Sequence, residues 1–165
     1  MFMFIAKMPG CLEDDNIRLR PLRIFDGPFI TDVLRDKDIL KSNGLSKPMS
    51  SLWFSFWWWI KKTFMPCYCI ECDSKRIGFI GLYNLSPGKS AEMSLAIFNE
   101  ILRRHGYGTR AFRLLVQGLK RYSVVKNLLV KVETDNHAAI SFWRKLGFIE
   151  TEISDGVVNI SLDFT

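Results

Sequence analysis

The chain has no apolar run long enough to cross a membrane. Its most apolar stretch, residues 52–60, is nine residues long, against the roughly 20 that a spanning helix needs. Residues 1–6 are apolar but short, with no preceding basic region and no cleavage-site pattern, so a secretory leader is not expected and cytoplasmic residence is. Histidine occurs twice and cysteine four times. Cys67, Cys69 and Cys72 cluster without a fourth local ligand, and strand alternation would turn Cys72 away from the other two. Reduced thiols are expected, and no metal. The full Gly-x-x-x-x-Gly-Lys-Ser/Thr spacing of a nucleotide-hydrolysing phosphate loop is missing, Tyr83 standing where its first glycine would precede Gly88-Lys89-Ser90, as are zinc-finger spacings, basic zippers, internal repeats and low-complexity linkers. The net charge of +6 is scattered along the chain, which argues against nucleic acid as a partner.

What is present suits one α/β domain. With 165 residues, 48% of them hydrophobic and including thirteen Phe and five Trp, the chain can bury one substantial core. Residues 1–16 show no sustained period and are interrupted by Pro9-Gly10, so they read as an extension before a folded unit of 17–165. Ile17-Arg18-Leu19-Arg20 alternates as a strand with one buried face, and Asp26 is placed to cap a helix carrying Phe29, Ile30, Val33 and Leu34 on one stripe. A second helix is expected over 51–62, whose Phe54, Phe56, Trp57, Trp58 and Trp59 suit a core and pocket wall better than a membrane surface. Strands follow over 67–71 and 77–83, joined by Asp73-Ser74-Lys75, and over 92–98, where Met93, Leu95 and Ile97 share one face. Phe112, Leu115, Val116 and Leu119 give a helical stripe; Leu128, Val130 and Val132 a strand; and Ala139, Phe142, Trp143 and Leu146 a helix ended by Gly147. A last hairpin turns at Asp155-Gly156.

The chemistry concentrates in Arg103-Arg104-His105-Gly106-Tyr107-Gly108-Thr109-Arg110, between a strand and a helix. Glycines there let a ligand approach the backbone where the first helical N–H groups are unpaired, and the helix dipole and arginines favour an anion such as a pyrophosphate. The bland alternative is a strand-to-helix turn with solvated arginines.

Arg103-x-x-Gly106-x-Gly108, followed by residues 136–148 from Asn136 to Gly147-Phe148, resembles the GNAT superfamily of N-acetyltransferases in both motif and order. Ile17-Arg18-Leu19-Arg20-Pro21-Leu22, Ile80-Gly81-Leu82 and Ala91-Glu92-Met93 resemble its branch acting on ribosomal-protein N-termini and related amines. The resemblance implies a single-domain mixed α/β (α+β) fold whose mostly antiparallel sheet, of about seven strands, is splayed between the fourth and fifth. Pantetheine would lie in the opening, against backbone groups of Ile97 and Phe98, with acetyl-CoA as cosubstrate.

The implied reaction is direct attack by a primary amine, on a small molecule or a protein N-terminus, in a ternary complex. Such an amine is mostly protonated at neutral pH, so a proton acceptor helps. Glu92 is the candidate, on its strand face and at an acidic position used in related enzymes. A backbone N–H near Phe98 is the candidate oxyanion donor. The position at which many relatives carry an acidic Tyr holds Trp143, whose indole cannot protonate a thiolate, so Trp143 is expected to pack beside pantetheine. Asn136 reads as a helix cap, as a contact to cofactor amides, or as both. His105 is given backbone-level cofactor contact only. The competing class is a noncatalytic acyl-CoA-binding regulator, and a monomer or homodimer is expected.

Overall fold

A computed structural model of the chain describes residues 8–33 and 66–164. The helix expected over 51–62 and its aromatic run lie outside them. The described residues form a sheet of eight strands: β1 (Leu12–Asp14), β2 (Ile17–Pro21), β3 (Cys67–Cys72), β4 (Lys75–Ser86), β5 (Ser90–Ile97), β6 (Asn127–Glu133), β7 (Ile149–Ser154) and β8 (Val157–Asp163). Their order is β1-β2-β3-β4-β5-β6-β8-β7, and every neighbouring pair is antiparallel except β5 with β6. Helices α1 (Gly27–Val33), α2 (Tyr107–Arg121) and α3 (His137–Lys145) complete the layers. Among the described residues no helix is long and apolar enough to cross a membrane.

The sheet begins at Leu12, five residues ahead of the first strand expected from the pattern. A strand this short leaves no legible period. It is fixed instead by the Asp14-Asp15-Asn16 turn, with Asp15 at φ 54°, and by Pro9, whose carbonyl accepts the Tyr68 hydroxyl at 2.6 Å.

One face of the sheet is closed by α2, which buries Ala111, Phe112, Leu114, Leu115, Gly118 and Leu119. They pack with Ile17, Leu19, Ile70, Ile80, Leu82, Leu128 and Ile160 in one core. Each large aliphatic side chain removed from water there contributes about 1.5–3 kcal/mol. On the opposite face Phe29 of α1 packs against Phe98, ring centroids 5.1 Å apart, and Phe98 against Phe79 of β4 at 5.8 Å.

That second face corrects two sequence readings. Arg20 is not on a solvated side of its strand: it is 7% exposed, and donates to both carboxylate oxygens of Asp26 at 2.7 and 2.9 Å and through Nε to Glu71 at 2.7 Å. Asp26 is not the free cap of a long helix. It closes a 3-10 turn (Ile24–Asp26) and accepts the Arg23 N–H at 2.7 Å. Burial opposes ionisation of Asp26, but its bonds from Arg20 and Arg23 outweigh that and hold its pKa below the ordinary range.

The feature that positions the site is the parallel pairing of β5 with β6. It covers Ser90 with Asn127, Ala91 with Leu128 and Glu92 with Leu129, and no further pair. Beyond Glu92 the two strands part, at the splay expected between these strands.

Candidate active site

The segment from β5 into α2 is shaped by backbone conformation. A 3-10 turn (Glu100–Leu102), capped by Asn99 Oδ1 accepting the Ile101 N–H at 2.9 Å, reverses the chain after β5. Arg104 and Gly106 then take left-handed conformations, φ 65° and 82°, which swing the chain into α2. Glycine accepts that geometry without the steric cost a Cβ brings. Gly106 occupies the N-cap position with no side-chain capping bond, and the first helical bond runs from the Arg110 N–H to the Gly106 carbonyl at 3.0 Å. The N–H groups of Tyr107, Gly108 and Thr109 therefore have no partner within the helix. They sit at its positive end, in a turn without acidic side chains. Gly106 is exposed and Gly108 and Thr109 half-buried, so these amides are reachable.

The arginines divide by role. Arg103 donates from Nε to the Ile97 carbonyl at 2.9 Å, tying the loop to the end of β5. Arg104 is exposed beside the turn, and His105 engages the Arg103 carbonyl through Nδ1 at 2.9 Å while stacking on Tyr107. Arg110, expected to contact the cofactor, has its guanidinium engaged by the β1–β2 turn. Its guanidinium donates to Asn16 Oδ1 and the Asp14 carbonyl, both at 2.9 Å, and lies within 3.9 Å of the Asp14 and Asp15 carboxylates. It pins the β1–β2 turn to α2. Tyr107 makes a comparable link through its bond to Cys72 of β3, which raises the phenol's pKa.

Gly108 joins the start of α2 to the opening. A Cβ built there would stand 3.3 Å from Leu95 of β5 and 3.5 Å from the Phe142 ring of α3. Along β5 the Phe98 N–H is given to the Ile77 carbonyl at 2.9 Å. The Phe98 N–H itself is thus occupied by β4, and an amide near Phe98 that can face the opening belongs to its neighbours of opposite parity. Because successive residues of a strand turn their N–H and C=O groups to opposite edges, the groups of Ile97 and Leu95 face the opening. The Ile97 carbonyl is already held by Arg103, which leaves the N–H groups of Leu95 and Ile97 facing the gap beyond the last β5–β6 pair.

Glu92 stands where the strands part. Its Oε1 accepts from Asn84 Nδ2 of β4 and from Lys131 Nζ of β6, each at 3.0 Å. Burial pushes its pKa up, but these two bonds and the Lys131 charge outweigh burial and leave it below the usual glutamate value. It is a fixed, ionised carboxylate. Trp143 is 5% exposed and lies in an aromatic cluster with Phe142, Phe112 and Phe148 at centroid distances of 4.9, 5.9 and 5.1 Å. Asn136 serves as the cap of α3, its Oδ1 accepting the Ala139 N–H at 3.1 Å.

Sequence reasoning missed Lys131, Asn84, Tyr83 and Ser94 at this place. Once the β4–β5 register is known, Tyr83 stands opposite Glu92 and Gly81 opposite Ser94, on the same face. Lys131 was signalled only by being the one charged residue between the apolar Val130 and Val132.

The family model for the acetyltransferase (GNAT) family matches residues 33–148, well over half of the chain. An N-alpha-acetyltransferase of Sulfurisphaera tokodaii is 26% identical over 135 residues, spanning 75% of this chain and 78% of its own length. Among solved structures, the ribosomal L7/L12 alpha-N-protein acetyltransferase RimL superposes with a TM-score of 0.79 at 16% identity, covering 93% of this chain and 94% of its own. A spermidine N-acetyltransferase from Vibrio cholerae, solved with CoA and spermine, gives 0.79 at 16% identity, covering 91% and 96%. An uncapped helix start beside a parted β5–β6 pair, within a fold shared with these enzymes and a matching family model, makes this chain a member of the GNAT acetyltransferase family.

Proposed function

We propose that the protein moves an acetyl group from acetyl-CoA to a primary amine, on a peptide or protein N-terminus or on a small molecule, in one ternary complex and in the cytoplasm. The observation that carries this reading is the adjacency of the uncapped α2 start, through Gly108 and Leu95, to the place where β5 leaves β6. The amides of Tyr107, Gly108 and Thr109, with the exposed Arg104, suit a pyrophosphate. The gap past Glu92 suits an extended thioester arm, which would bond to a strand edge as a neighbouring strand does. The four cysteines, all free, fit a reducing compartment. Two structural relatives support both acceptor types, one named for a ribosomal-protein N-terminus and the other for spermidine.

In this reading the Leu95 N–H supports the carbonyl oxygen as it gains charge, a contribution of about 3 kcal/mol for one such donor. Glu92, kept ionised, draws the proton from the amine directly or through water, and Oε2, which takes no bond among the described residues, serves as the acceptor. Trp143 packs the wall of the carrier's channel and supplies no proton. A thiol of pKa near 8.5 is a fair leaving group, and water protonates it.

The test is release of CoA thiol when the protein, acetyl-CoA and a panel of peptide and polyamine acceptors are mixed. Turnover with at least one primary amine is expected. Tight CoA binding without thiol release across the panel would instead support a regulator that only senses acyl-CoA, the reading that the loss of the phenol at Trp143 favours.

A further inference from the structure

On the face of the sheet that carries Glu92 lies a second polar group. Ser94 Oγ donates to the Tyr83 hydroxyl at 3.0 Å, joining β5 to β4. The Tyr83 hydroxyl is in turn bonded to the buried thiol of Cys67 on β3. The three side chains converge over Gly81, where an added Cβ would stand 2.4 Å from Cys67 Sγ and 3.2 Å from the Tyr83 oxygen. No other residue fits there while the chain of hydrogen bonds is kept. Burial pushes the Cys67 thiol up to about 12 and raises Tyr83 further still, so both groups stay protonated and neutral at physiological pH.

In the link between β5 and β4 it is Ser94 that donates and Tyr83 that accepts. A hydroxyl has one hydrogen, and that of Ser94 is spent on Tyr83, so what Ser94 offers to anything beside it is a lone pair. Ser94 is two residues along β5 from Glu92 on the same face, and it immediately precedes Leu95, whose amide faces the opening. The placement is that of an acceptor for an N–H group next to the reacting carbonyl.

We propose that Ser94 is a catalytic residue that accepts a hydrogen bond from the attacking amine, that Tyr83 is the positioning residue that fixes its hydroxyl as an acceptor, and that the pair selects for primary amines. The inference rests on the acetyl-transfer reading above. In the step, the amine lone pair forms the C–N bond to the acetyl carbon while the C–S bond breaks and its electrons leave on the CoA sulfur. One N–H proton passes to Glu92 or its water, and water protonates the thiolate. A neutral primary amine has two N–H groups, one to hand to Glu92 and one to hold on Ser94. A secondary amine has a single N–H and cannot satisfy both.

The test compares a short peptide beginning in serine with the same peptide beginning in N-methylserine, as acceptors for the unaltered protein and for Ser94→Ala, Ser94→Thr and Tyr83→Phe. Misorienting an attacking group is expected to lower kcat by roughly 10- to 100-fold. Ser94→Ala should show that loss for the serine peptide, with KM for acetyl-CoA unchanged and discrimination against the N-methyl peptide largely abolished. Ser94→Thr, which keeps the hydroxyl, should restore both, and Tyr83→Phe should fall between. Wild-type kcat and wild-type discrimination in both Ser94→Ala and Tyr83→Phe would overturn the inference while leaving acetyl transfer intact. An equal loss in Ser94→Thr and Ser94→Ala, with CoA binding retained, would overturn it too, by tracing the effect to packing. Absence of thiol release from the unaltered protein with every amine would instead sink the acetyl-transfer reading, and this inference with it.

Discussion

Lys131 Nζ stands 3.0 Å from Glu92 Oε1, a salt bridge between β6 and β5 at the last residue pair they share before parting. It joins the strands where backbone pairing ends, and it holds the candidate base ionised.

Removing that lysine should therefore be visible in pH. Glu92 titrates below its ordinary value, so the bridge contributes stability above the unfolded-state pKa, and this is lost as pH falls through the folded-state value. Lys131→Met is expected to lower the melting temperature at pH 7 and to approach the parent as pH falls below the lowered folded-state pKa of Glu92. With the lowering contributions of Lys131 gone, the Glu92 pKa moves up, and the acid limb of kcat should move up with it. A pH–rate profile superposing on that of the parent would remove Glu92 from the reaction.

The cradle makes a sharper demand on Gly106. Its φ of 82° costs a residue with a Cβ about 1–2 kcal/mol. There is open space around the built Cβ, so crowding adds nothing. Gly106→Ala is expected to lose about that much stability and, by relaxing the helix start, to weaken CoA binding by about tenfold. Calorimetric titration with CoA measures the second effect; unchanged affinity in the folded variant would argue against pyrophosphate at these amides.

Arg110 and Arg104 should separate cleanly. Arg110 holds the Asp14-Asp15-Asn16 turn, and its replacement by alanine is expected to cost about 1–2 kcal/mol of stability while leaving CoA affinity close to that of the parent. Arg104→Ala should do the reverse. Denaturant melts and CoA titrations of the two variants decide it, and a large affinity loss confined to Arg110→Ala would return that residue to the cofactor site.

Asp26→Asn breaks a buried pair and leaves Arg20 with a charge that water cannot reach. Losing one partner of such a pair costs about 3–5 kcal/mol. Because the Asp26 pKa is lowered in the folded state, its contribution is present above the unfolded-state value and fades as pH falls below it. Urea melts of the variant at neutral and acid pH should converge at the acid end. A cost under 1 kcal/mol at pH 7 would show that Glu71 alone can balance Arg20.

How much of this was readable beforehand depends on how far apart the partners lie. The strand, turn and helix around Gly106 are legible because they rest on local rules: alternation over 92–98, glycine before a helical stripe, and no break in either. The parting of the strands followed from the resemblance and not from any residue pattern. Arg20 was misread because the residues that bury it, Asp26 and Glu71, lie on other elements, Glu71 being 51 residues away. The bond of Arg110 to the β1–β2 turn was hidden for the same reason, since Asn16 is 94 residues away. Which amide near Phe98 faces the opening was not legible, because the strand pattern gives the faces of side chains while the edge each amide meets depends on the bond from Phe98 to Ile77.

Because backbone pairing joins β5 to β6 at three residue pairs, the sheet consists of two panels, β1 to β5 and β6 to β8. Whatever lies in the gap touches both panels at once and replaces the rungs that the protein does not supply. Such a molecule is a clasp as well as a reactant, so the panels should exchange their edge amides with solvent slowly while it is held and quickly once it departs.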